Sequence, residues 1–199
     1  MVAALLLTDA DARPGPRFTA DRIETARLRL RMFEPADLDS LCEMTSDPEV
    51  MRFIGHGQIL TREETRSNLE SIIAAFRRRG FGRWALESKA TGRLVGYCGL
   101  SLGEEEVGVE LAYLLARAEW GRGLALEAGR ACVRYAFERL GLRSVAGLTL
   151  HDNSRSRRVL ERLGMSLVGD AHFYGFDCVH YLLARADWRA DGSFYRVVS

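Results

Sequence analysis

Six residues, Trp120-Gly121-Arg122-Gly123-Leu124-Ala125, stand between a strand pattern and a helix pattern. Upstream, Val107, Val109, Leu111, Tyr113 and Leu115 alternate with Gly108, Glu110, Ala112 and Leu114, a period of two that predicts a strand over 106–115. Downstream, Leu124, Ala128, Ala131, Cys132 and Tyr135 recur at helical spacing and predict a helix over 123–140. Two glycines at such a junction leave main-chain N–H groups uncovered at a helix N-terminus. Those donors and the helix dipole attract phosphate oxygens, so the pattern suits a polyanionic cofactor. The competing reading is a tight turn in which glycine only relieves backbone strain. A P-loop is excluded, because Leu124 and Ala125 stand where Lys-Ser/Thr is needed. A dinucleotide fingerprint fits poorly, because Leu126 occupies the third glycine position and the loop from Ala116 to Trp120 is long.

On the predicted strand, the large apolar residues point to one face and Glu110 to the other, beside Gly108 and Ala112. A carboxylate among small residues can reach a cleft and accept a proton. It can equally face water or pair with an arginine. Glu106 shares its face and is the reserve.

The glycine segment resembles the pyrophosphate loop of the GNAT acyltransferases, Gln/Arg-x-x-Gly-x-Gly/Ala, with Trp120 in place of the Gln or Arg. Trp120 with Gly121, Glu127 and Ala128 is similar to the RimJ/RimL branch, which acetylates protein N-termini. Four further segments resemble the family in the right order: Thr25 to Arg31, Pro35-Ala36-Asp37 with Leu38, Leu41 and Cys42, Gly92 to Leu100, and Asn153 to Ser156 with Leu160, Leu163 and Gly164. The resemblance covers residues 23–188. It implies an α/β GNAT fold, a mixed central sheet of about seven strands flanked by about four helices. It implies acetyl-CoA as acyl donor. The main chain of Trp120, Gly121, Arg122, Gly123, Leu124 and Ala125 would hold the pyrophosphate. Leu114 and Leu115 would pair with the pantetheine arm, with a backbone N–H near them on the thioester carbonyl. Asn153 would touch pantetheine, unless it only caps the helix that follows. Ser156 would lie at the CoA sulfur and serve the leaving thiolate. Leu160 stands where many relatives carry a tyrosine acid, so that acid is missing. Glu110 would be the general base.

The elements that must position these groups follow from patterning. Strands are predicted near 26–33, 81–88, 93–102, 143–150, 166–174 and 177–186, and helices at 35–45, 48–54 and 154–163. Thr61 and Glu64 form a capping box for a helix that buries Leu69, Ile72, Ile73 and Phe76 and ends before Gly80. The crossover after residue 115 should be right-handed. Residues 1–22 read as a flexible N-terminal extension and 23–199 as one domain.

The 199 residues carry 28 Lys and Arg against 27 Asp and Glu, a net charge of +1, so no nucleic-acid partner is expected. Arg77-Arg78-Arg79 reads as a solvated helix end. Cys42, Cys98, Cys132 and Cys178 fit no zinc spacing and read as reduced core residues of a cytoplasmic protein. Ala3–Leu7 is too short to span a bilayer, so no membrane partner is expected. His56, His151, His172 and His180 are scattered, so no metal is expected; His172-Phe173-Tyr174 and Arg52–His56 are where the resembling family has its acceptor side. No nucleophile elbow is present, which favours direct transfer over an acyl-enzyme. The expectation is an acetyl-CoA-dependent N-acetyltransferase, monomer or homodimer, acting on a primary amine such as a protein N-terminal α-amine. The alternatives are a small-amine acetyltransferase of aminoglycoside or polyamine type, and a non-catalytic CoA-binding sensor.

Overall fold

A computed structural model describes residues 22–198. Of the predicted N-terminal extension, residues 1–21 lie outside the described residues, while Arg22 opens the first strand.

Nine strands form one sheet: β1 (Arg22–Glu24), β2 (Leu28–Arg31), β3 (Arg83–Ser88), β4 (Leu94–Leu102), β5 (Val109–Leu115), β6 (Ser144–Thr149), β7 (Ser166–Phe173), β8 (Phe176–Ala184) and β9 (Arg196–Val198). Their order is β7-β8-β6-β5-β4-β3-β2-β1-β9, and every pair is antiparallel except β5 with β6. Among the described residues there are five α-helices: α1 (Leu38–Thr45), α2 (Pro48–Met51), α3 (Arg62–Arg79), α4 (Leu124–Glu138) and α5 (Ser154–Arg162). The count exceeds seven strands because β1 and β9 pair at the sheet edge, where three-residue segments carry too little periodicity to read. The strand expected over 106–115 begins only at Val109, because Glu104–Gly108 form a turn closed by the Gly103 N–H on the Gly108 carbonyl at 2.7 Å, with Gly108 at φ 70°. Glu106 is therefore an exposed turn residue and not a strand neighbour of Glu110.

Alternation along the strands divides the core. Val109, Leu111, Tyr113 and Leu115 pack with α4 and α5, whereas Leu114 packs with α1, α2 and part of α3 on the other face. The first core centres on Trp84, fully buried and edge-on to Tyr135 at 5.1 Å and to Phe76 at 5.3 Å. Burying each such side chain contributes about 1.5–3 kcal/mol. Cys98, Cys132 and Cys178 are buried free thiols, and Cys42 is partly exposed.

Local chemistry sets the helix starts. The Thr61 hydroxyl accepts the Glu64 N–H at 3.2 Å, and the Glu64 carboxylate accepts the Thr61 N–H at 2.8 Å, closing the capping box. The predicted helix over 35–45 opens as a 3-10 turn, Pro35–Asp37. There Asp37 accepts the Glu34 N–H at 2.8 Å and both terminal nitrogens of Arg31 at 2.8 and 2.7 Å. Residues after β8 run back across α4: Trp188 packs on Phe137 at 5.4 Å, Asp191 pairs with Arg130 at 2.9 Å, and Arg134 covers Tyr195 at 4.6 Å.

Gly99 on β4 packs directly against the backbone at the start of β3. A methyl group there would lie inside van der Waals contact of the Gly82 carbonyl and the Arg83 Cα. Gly99→Ala should therefore lower stability by about 2 kcal/mol or more, since backbone cannot swing aside as a side chain does. A lowered Tm in thermal unfolding is the expected result; an unchanged Tm would show that β3 shifts freely.

Candidate active site

β5 and β6 share one registered pair, Glu110 with Ala146, and then separate. β5 stays paired to β4 as far as Leu115, opposite Gly96. The Ala116 N–H donates to the Val95 carbonyl at 2.9 Å. In an antiparallel ladder, bonded and non-bonded pairs alternate. Leu114 therefore turns its peptide groups to β4, and Tyr113 and Leu115 turn theirs into the gap beside β6. Of the two residues expected to meet pantetheine, Leu115 faces the gap and Leu114 does not. Tyr113 is the second residue on that free edge. The Leu115 carbonyl also accepts the Trp120 Nε1–H at 2.9 Å, which ties the loop entrance to the strand end.

Gly121 and Gly123 adopt φ 74° and 76°, conformations that glycine reaches without steric cost. Gly123 is the N-cap of α4 and offers no side chain to the helix's first N–H groups. Those donors stay available at the positive end of the helix dipole. The loop is held from outside by a clamp absent from the sequence reading. Glu127 on α4 accepts the Thr25 hydroxyl at 2.6 Å, the Arg27 main-chain N–H at 2.8 Å and the Arg27 Nε at 2.6 Å. Another Arg27 nitrogen donates to the Arg122 carbonyl at 2.8 Å. Burial would raise the Glu127 pKa, but these hydrogen bonds outweigh it and hold the carboxyl below its usual range. A depressed folded pKa stabilises above the ordinary carboxylate range, so this contribution fades only as pH falls through the lowered value. Arg122 itself pairs with Glu119 at 2.6 Å, and the Arg155 guanidinium stacks on the Trp120 ring at 4.8 Å.

Asn153 caps α5 by accepting the Ser156 N–H at 3.1 Å. Ser156 stands in the first turn of α5, and its hydroxyl shares a 2.7 Å hydrogen bond with the Tyr113 hydroxyl from β5. Burial holds the Tyr113 phenol well above its usual range, so it stays protonated. Leu160, one turn further, is 1% exposed and belongs to the core.

Glu110 lies on the other face of β5. Burial raises its pKa, the Arg83 charge and the nearby Tyr174 hydroxyl lower it, and Glu104 adds a rise; the net shift is upward. Arg83 is held by Ser101 at 3.0 Å. Both expected acceptor-side groups meet here. The His56 ring packs on Phe176 at 4.6 Å, and Tyr174 reaches Glu110. His172 points away, exposed and paired with Asp177 at 2.8 Å. The register places His180 on the Glu110 face, since Glu110 pairs with Ala146 and His180 with the next same-face residue of β6, Leu148. Its Nε2 is buried without a hydrogen-bond partner, and burial lowers its pKa. Tyr113 and His180 escape sequence reading as site residues, because their places depend on how distant elements register against one another.

A split parallel pair, uncovered N–H groups at a helix start and a half-buried carboxylate on the opposite face suit an acyltransferase that uses a CoA thioester. Comparison agrees: residues 27–166 match the acetyltransferase (GNAT) domain, and the chain belongs to the GNAT acetyltransferase family, whose acyl donor is acetyl-CoA. The chain is 33% identical over 147 residues to the Bacillus subtilis protein YkkB, covering 72% of this chain and 84% of that protein. It is 29% identical over 184 residues to the FsC-acetyl coenzyme A-N(2)-transacetylase of Aspergillus fumigatus, covering 83% of this chain and 77% of that enzyme. The crystal structure of an acetyltransferase from Agrobacterium tumefaciens str. C58 superposes with TM-score 0.73 at 27% identity, covering 87% of this chain and 99% of that one. Among the described residues, no cluster of three or more His, Cys, Asp or Glu side chains could hold a metal ion, and no helix is long and apolar enough to cross a membrane.

The clamp generates a prediction. Arg27→Ala removes a charge-assisted pair and the contact to the Arg122 carbonyl, so the glycine loop should lose its set shape. CoA affinity by calorimetry should fall about tenfold, on the order of 1.4 kcal/mol, with the Tm lowered only slightly. Unchanged affinity would show that the loop holds its shape without the clamp.

Proposed function

We propose that this enzyme moves the acetyl group of acetyl-CoA by direct attack onto a primary amine, with a peptide α-amine as the acceptor that fits best, in the manner of the RimJ/RimL branch. The observation that carries the reading is Glu110, a carboxylate raised in pKa by burial, next to the gap on the face opposite the glycine loop. An alkylammonium must lose a proton before it attacks, and a desolvated carboxylate is a better proton acceptor than an exposed one. Peptide α-amines ionise near 7.7–8.0 and lysine-type amines near 10.4, so the α-amine asks less of a single base. The mouth also carries Arg83 close to Glu110, and Arg52 lies on the loop that packs against the hairpin, which disfavours a polycation.

In this reading the N–H groups from Trp120 to Ala125 take the pyrophosphate, and the free edge at Tyr113 and Leu115 takes pantetheine. A main-chain N–H on that edge polarises the thioester carbonyl. The N–C bond forms as the C–S bond breaks, and the amine proton passes to Glu110. The Ser156 hydroxyl donates a hydrogen bond to the departing thiolate, whose modest basicity needs no more. When Tyr113 is the donor in the shared hydroxyl pair, the Ser156 proton is free for this role. Leu160 at the position of the tyrosine common elsewhere in the family, with Ser156 one turn earlier, supports the branch assignment.

Purified protein with acetyl-CoA, screened against peptides with free α-amines and against polyamines and aminoglycosides by released thiol, should favour the peptides. Turnover of the small amines alone would replace the peptide reading. With one verified acceptor, Glu110→Gln should lower kcat/KM near neutrality by about 100-fold and leave acetyl-CoA binding unchanged. The loss should shrink as pH rises, since more amine is then already deprotonated. The wild-type rate should climb as pH passes upward through the raised Glu110 pKa, and the variant should lack that limb. A variant profile matching wild type would remove Glu110 from catalysis. Ser156→Ala should lower kcat while CoA affinity holds, because the thiolate develops only in the transition state; a change confined to KM would mark Ser156 as a binding residue.

A further inference from the structure

β7 leaves one edge of the sheet open. Among the described residues it pairs with β8 alone, while the strand at the opposite edge, β9, is only three residues long. Exposed edges are commonly blunted by brevity, by lysine or by proline. β7 spans eight residues, Ser166–Phe173, and carries no Lys, Arg or Pro. A bulge between Leu167 and Gly169 interrupts its register, so the regular edge runs from Gly169 to Phe173. Leu167 and Val168, at the start of the strand, are 53% and 58% exposed.

The hairpin fixes which groups of that edge face outward. It closes with two residues, Tyr174 and Gly175, at φ 56° and 78°, the type I′ pattern. Phe173 and Phe176 flank the turn and exchange hydrogen bonds, and bonded and non-bonded pairs then alternate along the ladder. Ala171 therefore turns its peptide groups to Cys178 of β8, whereas Asp170 and His172 turn theirs away from the sheet. The side chains of Asp170 and His172 share one face, opposite Val179 and Asp177, and both are largely exposed.

We propose that this edge seats a second copy of the chain, with β7 pairing antiparallel to β7 about a two-fold axis beside Ala171. Outward groups must meet outward groups, which leaves axes at Asp170, Ala171 or His172 between the bulge and the turn. An axis at Asp170 sets Asp170 against itself, and like charges directly opposite are destabilising. An axis at His172 sets His172 against itself and runs Asp170 onto the turn of the other copy. The axis at Ala171 sets Asp170 opposite His172 in both directions, so both outward pairs are complementary and each exchanges both main-chain N–H···O bonds. Within one chain Asp170 already meets His151 at 3.6 Å, and His172 uses Nδ1 on Asp177 at 2.8 Å. Pairing joins these into a row that alternates imidazole and carboxylate, with the His172 Nε2 turned to Asp170 of the other copy. The same register carries Val168 to the turn of the other copy, where Tyr174 is 43% exposed, so two apolar side chains cover each other. The hairpin is also a wall of the proposed acceptor mouth, through Phe176 on His56 at 4.6 Å and the Tyr174 N–H on Glu104 at 3.0 Å. A second copy braces that wall from its outer side, whichever amine is the acceptor.

The test is sedimentation velocity on the full chain across a range of concentrations near neutral pH. Wild type should sediment as a dimer that dissociates on dilution. Asp170→Lys sets a cation against His172, and His172→Asp sets two carboxylates against each other. Each should raise the dimer dissociation constant about tenfold or more. An equimolar mixture of the two variants sets the new lysine of one chain against the new aspartate of the other and keeps a native Asp170–His172 pair beside it. That mixture should recover the dimer, which a merely structural loss would not. If either variant unfolds, Asp170→Pro takes its place, because it removes an outward N–H and no bond to β8, and it should be monomeric. A monomeric wild type, dimers that survive these substitutions, or a mixture that stays monomeric would overturn the proposal.

Discussion

The structure is organised around a break in a sheet. After a single β5–β6 pair the ladder stops, and the peptide groups of Tyr113 and Leu115 lose their strand partners. Buried main-chain groups without partners cost about 1–3 kcal/mol each. A gap like this persists only where surrounding contacts prevent the strands from closing. α4 and α5 wedge one face, Trp120 holds the end of β5 through the Leu115 carbonyl, and the Tyr113–Ser156 hydroxyl pair fixes α5 against β5. The open groups are then a ready edge for an extended ligand arm that brings its own amides.

The break works because one strand separates two environments by alternation. Tyr113 and Leu115 face the core under α4 and α5, beside the glycine loop that suits phosphates. Glu110 faces the opposite side, where the hairpin and the residue 52–56 loop meet through His56 and Phe176. In the proposed reading, a donor entering along one face and an acceptor from the other would converge on the same few residues of β5.

The same alternation explains what could be read from sequence. Period-two and helical patterns located most elements, and the Thr61–Glu64 box and the Gly121–Gly123 pair carry their chemistry within a few residues. Parity was harder. Leu114 and Leu115 are equivalent in sequence, and only the register with β4 tells which peptide faces the gap. Glu106 looked like a strand neighbour of Glu110 until Gly108, at φ 70°, ended the strand one residue before Val109. The Arg27–Glu127 clamp spans 100 residues of chain, and β1 and β9 pair across an even longer separation, so neither leaves a local signature.

Two glutamates show how position decides function. Both Glu127 and Glu110 are partly withdrawn from water, which by itself favours the neutral acid. Glu127 receives the Thr25 hydroxyl and two Arg27 donors, and its charge is fully compensated. It is locked as an anion and can only hold the loop. Glu110 has Arg83 and the Tyr174 hydroxyl to offset burial, and they do not suffice. Its affinity for a proton stays above that of an ordinary carboxylate. A surplus donor at Glu110 would weaken it as a base, and a missing donor at Glu127 would loosen the clamp. The proposed transfer needs Glu110 left partly unsatisfied and Glu127 not at all.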